Sequence, residues 1–499
     1  AVTTTNVTGT GVGNITVVDP IVWASANTLT LTAANNIAIN AGITTGLAGS
    51  ALILNAVGNV TQSAVIAGAG GLTKQGAGTV TLSQANTYTG ATTVSQGTLS
   101  AQKAAALGTT AGATTVASGA TLDINGVAIG AEPLTILGTG VGGNGALTGT
   151  GTASLSGTVA IGAASTIGGA GTLTLSGVVS GTALTKTGAG TLVLSGAAAN
   201  TYTGLTTVSQ GTLTAQKAAA LGTTAGGTTV ASGATLNINN VAIGAEALTI
   251  DGIGAGGVGA LTGTGAGASL SGAVSLGANS PTIGGAGTLT LSGVIANGAG
   301  NTLTKVGAGT LTLTNTDTYS GATTINGGGL TLSGATGTAL NTAFTVNQGG
   351  KLTLNNIAAN NVNRISDTTA LTLVGGEFVF NGTNVAATNA SETVGVLNLA
   401  GASTVTAVSG TGGSTILTFA GANRSAGASV LFRGTNLGNN PGVGVANIKF
   451  AIPAGLNLTG GGGAVGTTNI SIVPYAIGDI TAAGPGTGSK LRQIPRVEL

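Results

Sequence analysis

The chain has 499 residues, of which only 5% are charged and 93 are glycine, and its formal net charge at pH 7 is +2. Hydrophobic residues make up 42% of it, which excludes the kind of disorder that needs low hydrophobicity and high net charge. The small net charge predicts no nucleic-acid binding. The basic residues Lys490, Arg492 and Arg496 near the end of the chain predict only a solvated terminus.

Several classes of active site are excluded by residues that the chain lacks. It contains no histidine and no cysteine, so a Ser-His-Asp triad, a histidine metal site and a thiolate zinc site cannot form. Its 11 acidic residues are scattered, with no D-x-D or D-D cluster. We therefore predict no catalytic, metal-binding or cofactor-binding residue, no cofactor and no enzymatic activity. A β-helix polysaccharide lyase or hydrolase that works through carboxylates stays open as the weaker alternative.

The first section of the chain, about residues 1–70, contains the only tryptophan, Trp23. Its opening residues, Ala1 to Thr10, look like a strand without a polar cap. No apolar run of about 18 residues occurs here or elsewhere in the sequence, so we predict no integral membrane segment.

The repeat body, residues 71–335, contains three copies of a longer motif. Each copy reads L-T-K-x-G-A-G-T-x-x-L, followed by a tyrosine turn, N-T-Y-T-G or D-T-Y-S-G. The copies begin at Leu72, Leu184 and Leu303, so they are spaced by 112 and 119 residues. The first two are nearly identical over long stretches, which indicates an internal duplication.

A shorter rhythm of strands and glycines lies inside the long repeats. Pieces such as G-T-V-T-L-S from Gly78 and G-T-L-T-L-S-G from Gly171 alternate Thr or Ser with Leu, Val or Ile. This period of two is typical of a half-buried strand, and the bounding glycines allow sharp corners. We predict an all-β coil of stacked rungs, roughly 20 in number if a rung takes roughly 20 to 25 residues. A β-sandwich would explain the alternation equally well, but not the long copies.

The composition changes in the last third of the chain. All six phenylalanines and all five arginines follow residue 343. We therefore place a diverged C-terminal section at 336–481, and a tail or linker at 482–499 that shows no strand alternation.

Eight residues are candidates for contact with a ligand at the surface: Tyr88, Tyr202, Tyr319, Lys74, Lys186, Lys305, Arg424 and Arg433. The tyrosines could form a spaced row on which sugars stack, but corner packing is the alternative that their context favours. The lysines could bind anionic sugars or lipopolysaccharide, against solvated or stem-packed lysines as the favoured alternative. The two arginines belong to the section where we would look for a binding site.

The recurring L-T-K-x-G-A-G-T-L-x-L, with N-T-Y-T-G-A-T-T-V and G-T-L after it, resembles the autotransporter-associated β-strand repeat of bacterial surface proteins over residues 66–335. The stretches N-R-I-S-D-T-T-A-L-T-L-V-G-G-E-F from Asn363 and S-E-T-V-G-V-L-N-L from Ser391 look like the terminal part of the same proteins. The segment from Trp23 is similar to filamentous-haemagglutinin-like exoproteins. The resemblance implies a right-handed parallel β-helix, or β-solenoid, on the outer surface of a Gram-negative cell or outside it. It also implies a role in adhesion, biofilm or surface coating.

The prediction for function is an extracellular structural or adhesive surface protein that forms a rigid rod. Its partners would be further copies of itself, associated side by side or head to tail, with the tail 482–499 crossing to a neighbour. The alternative is a receptor- or glycan-binding adhesin with its site in the C-terminal section, whose partners would be glycans or other cell surfaces.

Overall fold

The computed structural model describes residues 2–4, 13–297, 300–451 and 474–482. Most of Ala1 to Thr10 and nearly all of the predicted tail, with its basic residues, lie outside the described residues. The described residues form parallel strands and no α-helix, with two short 3-10 helices at Val141–Gly143 and Ala255–Gly257. This confirms the predicted all-β solenoid, which has about 18 turns where the sequence suggested roughly 20.

The chain divides into two compact units, an N-terminal unit at Ala1–Glu246 and a C-terminal unit at Ala247–Leu499. The division into four sections stays a prediction. Within the described residues, no helix has the length and apolar character that crossing a bilayer requires.

In the N-terminal unit, successive turns add parallel strands to the same few sheets. The first sheet contains Val2–Thr3, Leu29–Ala33, Ala51–Ala56, Gly71–Gln75, Thr92–Val94, Thr114–Val116, Leu134–Ile136, Val159–Ile161 and Val179–Gly181. The second contains Ile15–Val17, Ile37–Ile39, Val60–Gln62, Thr79–Leu82, Thr98–Ala101, Thr121–Asn125, Leu147–Thr150, Thr166–Gly168, Leu184–Lys186, Thr206–Val208 and Thr228–Val230. The third contains Ala128–Ile129, Thr152–Leu155, Thr172–Leu175, Thr191–Leu194, Gly211–Ala215 and Ala234–Asn239. A short sheet contains Ile21–Val22, Ile43–Thr45 and Ile66–Gly68, and Ala242–Ile243 is the last strand of the unit.

The C-terminal unit is built in the same way. One sheet contains Leu261–Thr264, Thr282–Gly284, Leu303–Lys305, Thr323–Ile325, Phe344–Asn347, Leu371–Val374, Ala390–Ala400, Thr415–Arg424 and Ala446–Phe450. A second sheet, called the outer sheet below, contains Ala268–Leu270, Thr288–Leu291, Thr310–Leu313, Gly328–Leu332, Gly350–Asn355, Glu377–Asn381, Ala402–Val408, Ser429–Gly434 and Ala476–Asp479. The remaining strands are Leu248–Ile250, Val274–Leu276 and Ile295–Asn297 in one sheet and Thr316–Asp317 and Thr338–Ala339 in another.

The core consists of ladders of aliphatic side chains that point inward from successive turns. Val80, Leu99, Leu122 and Leu147 pair in register from turn to turn, and each is at most 1% exposed. Burying such a side chain stabilises the fold by roughly 1.5 to 3 kcal/mol. The alternating threonines point outward, which is the period of two that the sequence displays.

Near its end, the C-terminal unit has a wider interior than the part that holds this aliphatic ladder. The strands Ala390–Ala400 and Thr415–Arg424 have 11 and 10 residues. Phenylalanines fill the space between the sheets: the ring centroids of Phe378 and Phe419 are 6.1 Å apart, and those of Phe419 and Phe450 are 5.5 Å apart. The phenylalanines that gather late in the sequence are therefore core residues.

Glycine is required where two turns approach closely at a corner. A Cβ on Gly78 would lie 1.6 Å from the carbonyl oxygen of Gly58 in the preceding turn, although the backbone of Gly78 is not left-handed. The constraint at this position is space and not conformation.

Replacing Gly78 with alanine should therefore lower the free energy of unfolding by about 1 to 3 kcal/mol or more, because the two turns must move apart. Gly42→Ala is the matched control, since its Cβ would meet nothing nearer than the carbonyl oxygen of Val65 at 3.7 Å. Denaturant unfolding followed by circular dichroism measures both variants. Equal unfolding midpoints for the two would contradict close packing at this corner.

Candidate functional site

The three tyrosines of the repeats lie in the interior, not in a row on the surface. Tyr88, Tyr202 and Tyr319 are at most 1% exposed. Each hydroxyl is 2.7 to 2.8 Å from the hydroxyl of a threonine four residues further on. Burial raises the pKa of all three phenols. The sugar-stacking hypothesis is corrected by this placement, because no ring face reaches solvent; the alternative, packing at a corner, describes what these side chains do.

The three repeat lysines are also buried, each 1% exposed, which corrects the hypothesis that they contact anionic sugars. The Nζ of Lys74 donates to the carbonyl oxygens of Gln75, Gly76 and Gln96 at 2.9, 2.6 and 2.9 Å. Lys186 and Lys305 repeat this pattern of two adjacent carbonyls and one from the following turn. Burial lowers the pKa of each lysine to about 8. These ammonium groups satisfy corner carbonyls that would otherwise be buried without partners.

The first two repeats also occupy different faces of the N-terminal unit. Leu72 to Lys74 lies in the first sheet, whereas Leu184 to Lys186 lies in the second. A shift of 112 residues is thus not a whole number of turns. Equivalent residues of these two copies consequently do not line up along one face.

The two arginines lie nearer the surface than the tyrosines and lysines do. Arg424 is exposed, and its guanidinium carbon lies 4.7 Å from the centroid of the Tyr475 ring. Arg433 is partly buried and pairs with Asp479, with Nε 3.6 Å from the carboxylate Oδ2. Arg433 is the one of the eight candidates that the structure places beside a groove.

One buried position distinguishes the third repeat from the others. Asn86 and Asn200 each accept a hydrogen bond from a backbone N–H at 2.9 Å and donate to a carbonyl of the next turn at 2.7 Å. Asp317 takes this place and accepts from the N–H of Ile295 at 2.7 Å. Its other oxygen, Oδ2, has no hydrogen-bond partner among the described residues. Burial raises the pKa of Asp317 to about 7.

Arg364 anchors the region just after the third repeat from within. It is fully buried, and its guanidinium donates to the Oδ1 of Asn356 at 2.5 Å and to the carbonyl oxygens of Gly337 and Gly334, both at 2.8 Å. The carboxylate of Glu392 accepts from the N–H of Arg364 at 2.8 Å, and burial raises the pKa of Glu392 to about 8. The two stretches that resemble the terminal part of such proteins are thus joined by a buried polar network.

A groove of about 680 Å³ lies on the outer sheet of the C-terminal unit. Its floor contains three glycine pairs from successive turns, Gly328–Gly329, Gly349–Gly350 and Gly375–Gly376. The first glycine of each pair has a φ of +63°, +82° and +73°, a conformation that favours glycine. Because these corners carry no side chain, the surface is hollow there.

The walls of the groove are polar. Lys351 and Glu377 face each other from paired positions on adjacent strands, with Nζ and Oε2 3.3 Å apart. Hydroxyl groups come from four threonines, Thr310, Thr331, Thr353 and Thr404, and Arg433 closes one side. Of these residues, only Arg433 was predicted from the sequence. The signal that could have found them is the recurrent Gly-Gly directly before a strand, at 349–350 and 375–376, followed by a charged residue.

The chemistry of this groove is that of hydrogen bonding to a ligand. Among the described residues, no group of three acidic, histidine or cysteine side chains is arranged to hold a metal ion. Buried acids accept hydrogen bonds within the protein, Asp317 and Glu392 from backbone N–H groups and Glu132 and Glu246 from threonine hydroxyls. The groove is therefore the candidate site, and its side chains can donate and accept hydrogen bonds.

These features define the class of the protein as a parallel β-solenoid with inward-facing polar corners. The family model of the passenger-associated transport repeat matches residues 72–101, 184–215 and 303–332, the three copies described above. The chain thus contains three such repeats, which is consistent with an autotransporter passenger and implies a place outside or on the surface of a Gram-negative cell. No curated protein and no solved structure matches the chain.

Replacing Asp317 with asparagine should raise the free energy of unfolding at pH 8 by about 1 to 3 kcal/mol, because it removes a buried carboxylate oxygen that lacks a partner. The folded pKa of Asp317 lies above its unfolded value, so the wild type recovers stability as the pH falls through about 7. The benefit of the substitution should therefore shrink between pH 8 and pH 4.

Urea unfolding at several pH values measures this difference. The reverse change, Asn200→Asp, should lower the free energy of unfolding. The loss should be largest at pH 8 and should shrink as the pH falls. A gain in stability from Asp317→Asn that does not change with pH would contradict the claim that the buried carboxyl of Asp317 takes up a proton as the pH falls.

Arg364→Met should lower the free energy of unfolding by about 3 to 5 kcal/mol, because the Oδ1 of Asn356 and the carbonyl oxygens of Gly337 and Gly334 lose their donor and each unsatisfied buried group costs about 1 to 3 kcal/mol. The exposed Arg424→Met is the control and should cost little. Thermal unfolding of both variants tests this. A similar loss of stability in both would show that the buried hydrogen bonds of Arg364 stabilise the fold no more than the exposed Arg424 does.

Proposed function

We propose that the chain is the exported, surface-exposed part of a Gram-negative surface protein, where it serves as a rigid structural element. The observation that carries the proposal is the presence of three passenger-associated transport repeats within a continuous pattern of in-register parallel strands. The polar residues of the repeats are used internally, which suits a scaffold. The absence of enzymatic activity is part of the proposal.

Self-association is the finer part of this proposal. The strand Ala446–Phe450 is the last of its sheet among the described residues of the C-terminal unit, and Ala476–Asp479 is the last of the outer sheet. Strands in that position offer unpaired backbone groups that another chain can extend. Head-to-tail contact between copies, with the tail 482–499 reaching the neighbour, would cover such strands.

Negative-stain electron microscopy of the purified chain, with and without residues 482–499, tests this. We expect filaments or ordered aggregates at high concentration for the complete chain, and fewer of them after truncation. Monodisperse monomers in both preparations would overturn head-to-tail assembly.

The second candidate is an adhesin that binds glycans through the groove on the outer sheet. It is favoured by one observation, the coincidence of a glycine-floored hollow with hydroxyl and charged side chains in a chain that is only 5% charged. The complete chain should then retain sugars on a glycan array without releasing products. Turnover of pectin-like or other polysaccharides would instead support the lyase alternative, and no retention would leave the scaffold alone.

A further inference from the structure

The shape of the groove selects an extended ligand. Its lining residues come from six successive strands of the outer sheet, from Thr310–Leu313 to Ser429–Gly434. Six strands at a spacing of about 4.8 Å give a length of roughly 24 Å along the stacking direction. A compact metabolite would occupy only a fraction of that length, whereas a linear polymer could contact every turn.

The groove is lined by the side-chain face of a paired sheet. The backbone groups of its inner strands are already bonded to the neighbouring turns, as in the pairing of Gly350–Asn355 with the strands on both sides. A peptide cannot add to this surface as a further strand, and the groove offers no apolar pockets for alternate side chains. These two facts disfavour an extended peptide as the occupant.

Hydrogen-bonding groups remain available along the floor and walls. The hydroxyls of Thr310, Thr331, Thr353 and Thr404 have no hydrogen-bond partner within the described part of the chain. Hydroxyl groups both donate and accept, which suits a ligand that carries hydroxyls itself.

The charges of the groove are balanced. Lys351 pairs with Glu377 at 3.3 Å and Arg433 with Asp479 at 3.6 Å. A polyanion would be repelled by Glu377 and would gain only Lys351 and Arg433, two cations that are already paired, and a polycation would meet the converse problem. A neutral hydroxylated chain instead finds both donors and acceptors.

From this geometry we infer that the groove binds a neutral, linear polysaccharide that lies along the stacking direction, with Thr310, Gly329, Lys351, Glu377 and Thr404 forming one contact row. The inference rests on the glycan-binding candidate above and names its ligand class. These five residues occupy register-matched positions on five consecutive strands. Each turn therefore presents one contact at the same lateral position.

Gly329→Phe is the decisive variant. The backbone of Gly329 is not left-handed, and the atoms nearest to an added Cβ belong to the side chain of Thr310, with its hydroxyl at 3.2 Å, so a bulky residue fills the groove after a small shift of this one side chain. Thr174→Phe, at an outward strand position of the N-terminal unit, is the matched control for an exposed phenylalanine. Lys351→Gln combined with Glu377→Gln tests the charged pair.

Affinity electrophoresis and isothermal titration of the complete chain use four probes: dextran and a linear β-glucan as neutral polymers, polygalacturonate as a polyanion, and an uncharged unstructured peptide. We expect binding to at least one neutral polymer that added salt does not weaken. Gly329→Phe should weaken it at least tenfold, the double glutamine variant several-fold, and Thr174→Phe not at all. Unchanged unfolding midpoints verify that the variants are folded.

Three results would overturn the inference. Binding that Gly329→Phe leaves intact places the site elsewhere. Salt-sensitive binding of polygalacturonate alone, or binding of the peptide alone, rejects the ligand class. Failure to bind any probe rejects the site itself, while the structural proposal stands or falls separately by electron microscopy.

Discussion

The spacing of the β-ladder, about 4.8 Å between neighbouring turns, is the constraint from which the other features follow. Corners must come as close as the strands do, so Gly78 can carry no side chain above the carbonyl of Gly58. Carbonyl oxygens at these corners also need hydrogen-bond donors. A buried ammonium such as that of Lys74, bonded to three of them, satisfies these groups and ties one turn to the next. The charged residues of the repeats thus belong to the architecture.

The sequence carries enough information to predict the strands and the solenoid, because alternation translates directly into inward and outward positions. It even places Lys74 inward, since Lys74 has the same parity as the buried Leu72. Lysine is usually exposed, however, and this general expectation led to the wrong prediction that Lys74 lies at the surface. What could not be predicted is its set of partners, one of which lies 22 residues away. Tyr88 was harder still, because its segment forms no regular strand.

The groove illustrates a different limit on prediction. Thr310, Gly329, Lys351 and Glu377 form one row only because successive turns of unequal length return to the same register. The separations along the chain are 19, 22 and 26 residues, so no fixed period connects them. The buried network around Arg364 depends on the same irregular turns.

The offset between the first two repeats has a consequence for how such a chain can grow. Leu72 and Leu184 begin equivalent segments that pair on different sheets, so the same segment fits more than one face of the N-terminal unit. Any inserted segment that ends in phase with the strands can be accommodated, whether or not it completes a circuit. The smallest unit by which the solenoid can lengthen is therefore one strand with its corner. A gene could then lengthen by unequal exchange at many more points than if only whole turns could be inserted.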